Sequence, residues 1–73
     1  MLEKVIGIVA QALNVDEADL KASTSFKKDL EADSLDLFEL TMALEEEFGV
    51  EIPAEELKNI NTIGDVVAYI EKQ

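Results

Sequence analysis

Between Asp33 and Gly49 the chain has no Gly or Pro, and its apolar residues recur at a spacing that suits a helix and not a strand. At about 100° per residue, Leu37, Leu40, Thr41, Leu44 and Phe48 share one arc, the face a helix turns to a core. Asp33 is placed to cap that helix. Ser34 then becomes its first residue, and Asp36, three positions after the cap, supplies the reciprocal carboxylate of a capping box. Gly49 is suited to stop it. The hydroxyl of Ser34 is expected to face solvent.

A second apolar stripe lies on the same helix. Leu35, Phe38 and Met42 cluster on a separate arc, bordered by Glu39 and Glu46 on one side and Glu45 on the other. A small bundle could bury that stripe by wrapping its central helix on two sides. Apolar residues rimmed by carboxylates otherwise form a docking surface.

The remaining chain supplies elements to pack against this helix. Leu2, Val5, Ile6, Val9 and Leu13 form one face of a first helix ending near Asn14. Val15 to Leu20 is expected to be a short turn pinned by its apolar ends. The connection onward to Ser34 is long, so Leu20, Phe26 and Leu30 should tuck inward to anchor it. Pro53 suits the first position of a short helix through Leu57, with Leu57 and Ile60 covering the core. Thr62 and Asp65 repeat the capping-box spacing before a last helix whose apolar face is Ile63, Val66, Val67 and Ile70. With no strand alternation and no repeats, the expected fold is all-α, a small bundle of three main helices plus one short helix. A chain of 73 residues has room for one domain and one small core.

Charge is the most informative compositional property. Eleven acids and no Lys lie between Asp29 and Leu57, whereas the rest of the chain balances six acids against six Lys, for a net charge of −11. Such a segment repels nucleic acid and anionic membranes and favours basic protein patches or cations. An acidic face kept for solubility is the plainer reading of an isolated run, but this one surrounds Ser34. No apolar run approaches the roughly 20 residues that span a bilayer, and no secretory leader is visible, so stable membrane insertion is not expected and the cytoplasm is the expected address.

Catalysis by this chain is not expected. His, Cys, Arg and Trp are absent, Tyr69 is the lone Tyr, and a Ser without a neighbouring base is a poor nucleophile. The acids are unfocused, and no cleft is apparent to hold an acid and base pair. Asp29, Glu31 and Asp33 match the first ligand positions of a calcium-binding EF-hand loop. Ser34 stands where that loop needs Gly, and Leu40 where it needs Glu, so no specific metal site is expected. Ser34 reads as an attachment point. One alternative is an acidic regulatory interaction module phosphorylated at Ser34, since a helix start favours phosphate.

Asp33-Ser34-Leu35-Asp36 followed by Glu39-Leu40-Thr41-Met42-Ala43-Leu44-Glu45-Glu46-Glu47-Phe48 resembles the acyl carrier proteins of bacterial fatty-acid synthesis. The resemblance extends to Ser25-Phe26-Lys27-Lys28-Asp29-Leu30, to Glu51-Ile52-Pro53 and to Asp65-Val66-Val67-Ala68-Tyr69-Ile70. It implies a single carrier domain over residues 1–73, with 4′-phosphopantetheine attached through a phosphodiester to Ser34, flanked by Asp33 and Leu35. The thiol of that arm would hold acyl chains as thioesters. Implied partners are a phosphopantetheinyl transferase and the enzymes of fatty-acid synthesis, reached through their basic patches. Leu35, Asp36, Phe38, Glu39, Met42, Glu45 and Glu46 would form the surface they meet on a monomeric carrier. A dedicated carrier for a polyketide or another acyl pathway is the nearer alternative. One residue departs from the family: Glu31 stands where Gly is usual, and Gly there permits positive φ or close approach.

Overall fold

The computed structural model describes residues 1–72, and its helices are α1 (Leu2–Leu13), α2 (Ser34–Phe48) and α3 (Ile63–Glu71). Two 3-10 segments, Glu17–Asp19 and Ala54–Lys58, punctuate the connections. α1 packs on both α2 and α3. The all-α class expected from periodicity is the class observed, and the short fourth element is a 3-10 turn where a helix was expected. Pro53 precedes it as the cap, with an extended ψ of 149°, instead of entering its first turn. Five residues are too few to reward the i→i+4 bonding of an α-helix, and the tighter i→i+3 pattern serves short pieces.

The first two helices end where their sequence provides a stop. Asn14 adopts φ 56° after α1, and the Val15 N–H bonds back to the Ala10 carbonyl at 3.0 Å. Gly49, at φ 67°, closes α2 with its N–H on Glu45 O at 2.8 Å. Both are left-handed terminations that satisfy orphan carbonyls. At the start of α3, Thr62 and Asp65 complete the expected capping box.

The core draws on all three helices and on the connections between them. Val5 and Val9 of α1, Leu37, Leu40 and Leu44 of α2, and Ile63, Val66 and Ile70 of α3 are buried together with Leu20, Phe26, Ile52 and Ile60. Several residues expected on core faces sit at its margin. Ile6, Leu13, Leu30, Phe48, Leu57 and Val67 are only partly buried against the core, and Leu2 is exposed. Phe48 lies at the last turn of α2, where the Lys4 ammonium stands 5.9 Å from its ring centroid. Periodicity gives the direction of a residue on its helix but not the depth of the cover above it.

The long connection between α1 and α2 is ordered by side chains and by backbone pairing. Phe26 is 1% exposed, and its N–H bonds to Asn61 O at 3.0 Å. Ile63 and Gly64 donate their N–H groups to Thr24 O and Ala22 O at 3.1 and 2.8 Å, so this loop is stitched to the start of α3. A Cβ on Gly64 would stand 3.0 Å from Ala22 O, which explains a glycine inside the first turn of α3. Buried Thr24 folds back, its Oγ1 accepting the Lys21 N–H at 2.8 Å. Tucking of Leu20 and Phe26 was legible; this pairing with α3 was not.

Candidate functional site

The site is built at the start of α2, and its first component is the cap. The Asp33 carboxylate accepts the Asp36 N–H at 2.9 Å, while the Asp36 carboxylate accepts the Asp33 N–H at 3.2 Å. This reciprocal pair closes around Ser34. Because Asp33 does the capping, the Ser34 hydroxyl is left free, on an exposed residue at the first helical position.

A loop with unusual backbone leads into that cap. Asp29 and Leu30 both direct their N–H groups to Ser25 O, at 3.0 and 3.2 Å, and the Asp29 carboxylate returns to the Ser25 N–H at 2.7 Å. Ala32, 7% exposed, then drops into the core with its N–H on Phe26 O at 2.8 Å. Between them Glu31 adopts φ 51°, in the left-handed region. The position where the related carriers favour Gly therefore has the conformation Gly tolerates, held here by a residue with a Cβ.

Ser34 opens onto a cleft of about 230 Å³ that it lines with Lys27, Leu37, Ala54, Leu57 and Lys58. Sequence reasoning placed Ser34 but none of these neighbours beside it. Leu37 is one turn along α2, whereas Lys27 comes from the loop before α2 and Ala54, Leu57 and Lys58 from the 3-10 turn, segments far apart in the chain. The available signal was that the lysine-free acidic segment is bounded by Lys27-Lys28 on one side and Lys58 on the other.

Along α2 from Ser34, the second apolar stripe is on the surface. Leu35, Phe38 and Met42 are 64%, 49% and 53% exposed, so the alternative of a helix wrapped on two sides is excluded. Glu39 and Glu46 are exposed beside them, and Asp36 is half-buried. Glu45 is also half-buried, and its carboxylate accepts the Ile52 N–H at 2.8 Å, which ties the end of α2 to the following loop. That structural task for Glu45 was not visible in the sequence. Among the described residues the one ion pair is Lys4–Glu47 at 4.0 Å, between exposed side chains. No cluster of three or more potential metal ligands occurs among the described residues.

An exposed serine at the first turn of a capped helix, in a bundle tied together by an ordered loop, is the arrangement of a carrier domain, whose function is to hold a prosthetic arm. Comparison with known proteins agrees. Residues 3–70 match the family described as "Phosphopantetheine attachment site". The acyl carrier proteins of Helicobacter pylori strains G27 and HPAG1 are each 54% identical over 71 residues, covering 97% of this chain and 91% of theirs. A solved Mycobacterium tuberculosis structure designated an acyl carrier protein superposes with a TM-score of 0.84 at 33% identity, covering 97% of this chain and 96% of that one. The chain belongs to the acyl carrier protein family, and its prosthetic group is 4′-phosphopantetheine.

The residues present suit such a group. The Ser34 hydroxyl is free of any capping duty, and the adjoining cleft offers both ammonium groups and apolar side chains to an arm that is anionic at its root and largely neutral beyond.

Proposed function

We propose that Ser34 is the attachment residue and that the loaded chain presents acyl thioesters to the enzymes of fatty-acid biosynthesis. The observation that carries this reading is the free hydroxyl at the first position of α2, enclosed by the Asp33–Asp36 capping box. Attachment transfers the phosphopantetheinyl group of coenzyme A to Ser34 Oγ: the new P–O bond to serine forms as the pyrophosphate bond of coenzyme A breaks, adenosine 3′,5′-bisphosphate leaves, and a phosphopantetheinyl transferase catalyses the exchange. With the neighbouring Asp33 and Asp36 carboxylates engaged in the cap and no hydrogen bond to its hydroxyl among the described residues, the serine depends on the transferase to take its proton. Asp33 and Leu35 position it as the residues on either side.

Chemistry on the cargo belongs to the partners. Their basic patches meet Glu39, Glu46 and the outer face of Glu45, with Asp36 nearer the serine, while Leu35, Phe38 and Met42 supply close apolar contact. The exposure of this stripe and the acid excess around it support that surface. We read residues 1–73 as one carrier domain that works as a monomer in the cytoplasm. Its net charge of −11 disfavours pairing with a second copy. No helix among the described residues is long and apolar enough to cross a membrane.

Incubation with coenzyme A and a phosphopantetheinyl transferase, followed by intact mass measurement, tests the assignment. Wild type should gain one arm, and Ser34→Ala none while keeping its helical circular dichroism. Modification at Ser23 or Ser25 would overturn it. Isolation from the native host with a bare phosphate on Ser34, and no arm, would favour the regulatory module.

A further inference from the structure

We propose that Lys27 and Lys58, on the two walls of the cleft at Ser34, hold the phosphate of the prosthetic arm and lay the root of the arm over Leu37 and Leu57. The inference rests on Ser34 being the attachment residue. It concerns where the arm goes once attached.

The fold brings these two lysines together from opposite ends of the acidic segment. Lys27 lies two residues before Asp29, Lys58 directly follows Leu57, and apart from Lys28, beside Lys27, the stretch between them holds eleven acids and no cation. Both lysines line the cleft that Ser34 opens onto. Neither has a carboxylate within 4.0 Å among the described residues. In a chain of net charge −11, the attachment point therefore adjoins two ammonium groups that no acid neutralises. A phosphodiester keeps one negative charge across the working pH range, and on the cleft side of Ser34 two lysines without an ion-pair partner are there to attract it.

The walls are held in place even though lysine side chains are mobile. Lys27 follows the buried Phe26 and lies within the turn that the Lys28 N–H closes on Ser25 Oγ at 3.2 Å. Lys58 ends the 3-10 turn, fixed by Glu56 N–H on Pro53 O and Asn59 N–H on Glu56 O, both at 2.9 Å, and by buried Ile60. The floor is apolar: Leu37 is buried and Leu57 is partly so. One methylene beyond its phosphate the arm carries a carbon with two methyl groups, which suits such a floor.

Helix geometry makes this a choice between two directions. At about 100° per residue, Leu37 lies about 60° to one side of Ser34. Phe38 lies about 40° to the other, with Leu35 and Met42 beyond it. An arm drawn to the lysines lies away from the exposed stripe and leaves it free for partners. Each exposed ammonium–phosphate pair should shift such an equilibrium only a few-fold, so both must be changed for a clear result.

The test uses the full chain loaded with unacylated arm and checked by intact mass, with methyl-labelled Leu and Met observed by NMR. Wild type should show through-space contacts from the geminal methyls of the arm to the Leu37 and Leu57 methyls, and a ³¹P shift that moves toward that of a free phosphodiester as salt is added. Lys27→Gln with Lys58→Gln should weaken those contacts several-fold and abolish the salt response of the ³¹P shift. Lys21→Gln with Lys72→Gln, the same change in net charge elsewhere, should preserve both. Contacts to Leu35 and Met42 in loaded wild type, or contacts and shift unchanged in the Lys27/Lys58 variant, overturn this inference alone. A wild-type chain that accepts no arm at Ser34 overturns the attachment reading and this inference with it.

Discussion

Replacing Glu31 by Gly should stabilise this protein, although Gly usually weakens a fold. Glu31 is held at φ 51° by the turn that lets Ala32 enter the core ahead of the Asp33 cap. For a residue with a Cβ, the left-handed conformation costs roughly 1–2 kcal/mol. Gly relieves that cost but adds unfolded-state entropy of roughly 0.4–1 kcal/mol. The mid-values of the two ranges differ by a net stabilisation of roughly 0.8 kcal/mol, and at roughly 4–8 °C per kcal/mol for a small domain the melting temperature should rise by about 3–6 °C. Removing one acid from the acidic segment acts in the same direction, so charge must be separated from strain. Glu31→Gln removes the charge and keeps the Cβ. Urea and thermal unfolding of wild type, Glu31→Gln and Glu31→Gly, repeated at high salt to screen charge, divide the two effects. If Glu31→Gly is no more stable than Glu31→Gln, the backbone at Glu31 is not strained and the reasoning fails.

Further outcomes follow from the same structure. Phe38→Ala should cost about 1 kcal/mol or less in folding stability, because the side chain is 49% exposed, and should mainly speed dissociation of partner enzymes; a variant that unfolds would refute the docking stripe. Glu39→Lys should instead slow association and flatten its salt dependence, as measured by stopped flow at several ionic strengths. Melting temperature should rise with salt, and more steeply with millimolar magnesium or calcium at matched ionic strength; indifference to all of them would show that the acids are already compensated. The carboxyl of Asp65 is held below the ordinary carboxylate range, first by the Asn61 N–H and then by the Thr62 N–H and hydroxyl, against an upward push from burial. Its folded pKa lies below its unfolded one, so its contribution is complete above the ordinary carboxylate range and is lost as pH falls through the folded value. Asp65→Asn should therefore be less stable than wild type at neutral pH, with a gap that closes in acid; a gap independent of pH would argue against the charge having this role.

The parts of this fold that were legible in sequence are those governed by neighbours in the chain. Caps at Asp33 and Thr62, stops at Asn14 and Gly49, and the core faces of the helices each depend on residues within a turn or two. What escaped was set by contacts across the chain. The tie from Glu45 to the Ile52 N–H, the pairing of Thr24 with the start of α3, and the cleft shared by Lys27 and Lys58 join segments whose approach no local pattern encodes. The 3-10 turn after Pro53 falls between these cases. Its position was legible, but its winding depended on whether five residues had enough bonding to become an α-helix. Glu31 is instructive in another way. Its departure from the related carriers marked the position, and only the backbone angle showed that the conformation Gly serves had been retained.

The register of the cap ties fold to function. Serine is itself a favoured N-cap, and a chain whose helix began one residue later would place Ser34 in that role, with its oxygen accepting a backbone N–H and its orientation committed. Asp33 prevents this by capping first. Its carboxylate takes the Asp36 N–H, Asp36 answers on the Asp33 N–H, and the bonds pass on either side of a residue that takes no part in them. Ser34 is thus held by its backbone and free at its side chain, a combination that neither a mid-helix surface serine nor a loop serine provides. The reciprocal pair also keeps two carboxylates close to the proposed attachment point, so the local field opposes the addition of a negatively charged phosphodiester there. The cations available beside that point, Lys27 and Lys58, lie on the cleft side of Ser34 and not along the acidic stripe. Charge is therefore separated by direction around one serine, with cations toward the cleft and acids toward the exposed stripe proposed for docking.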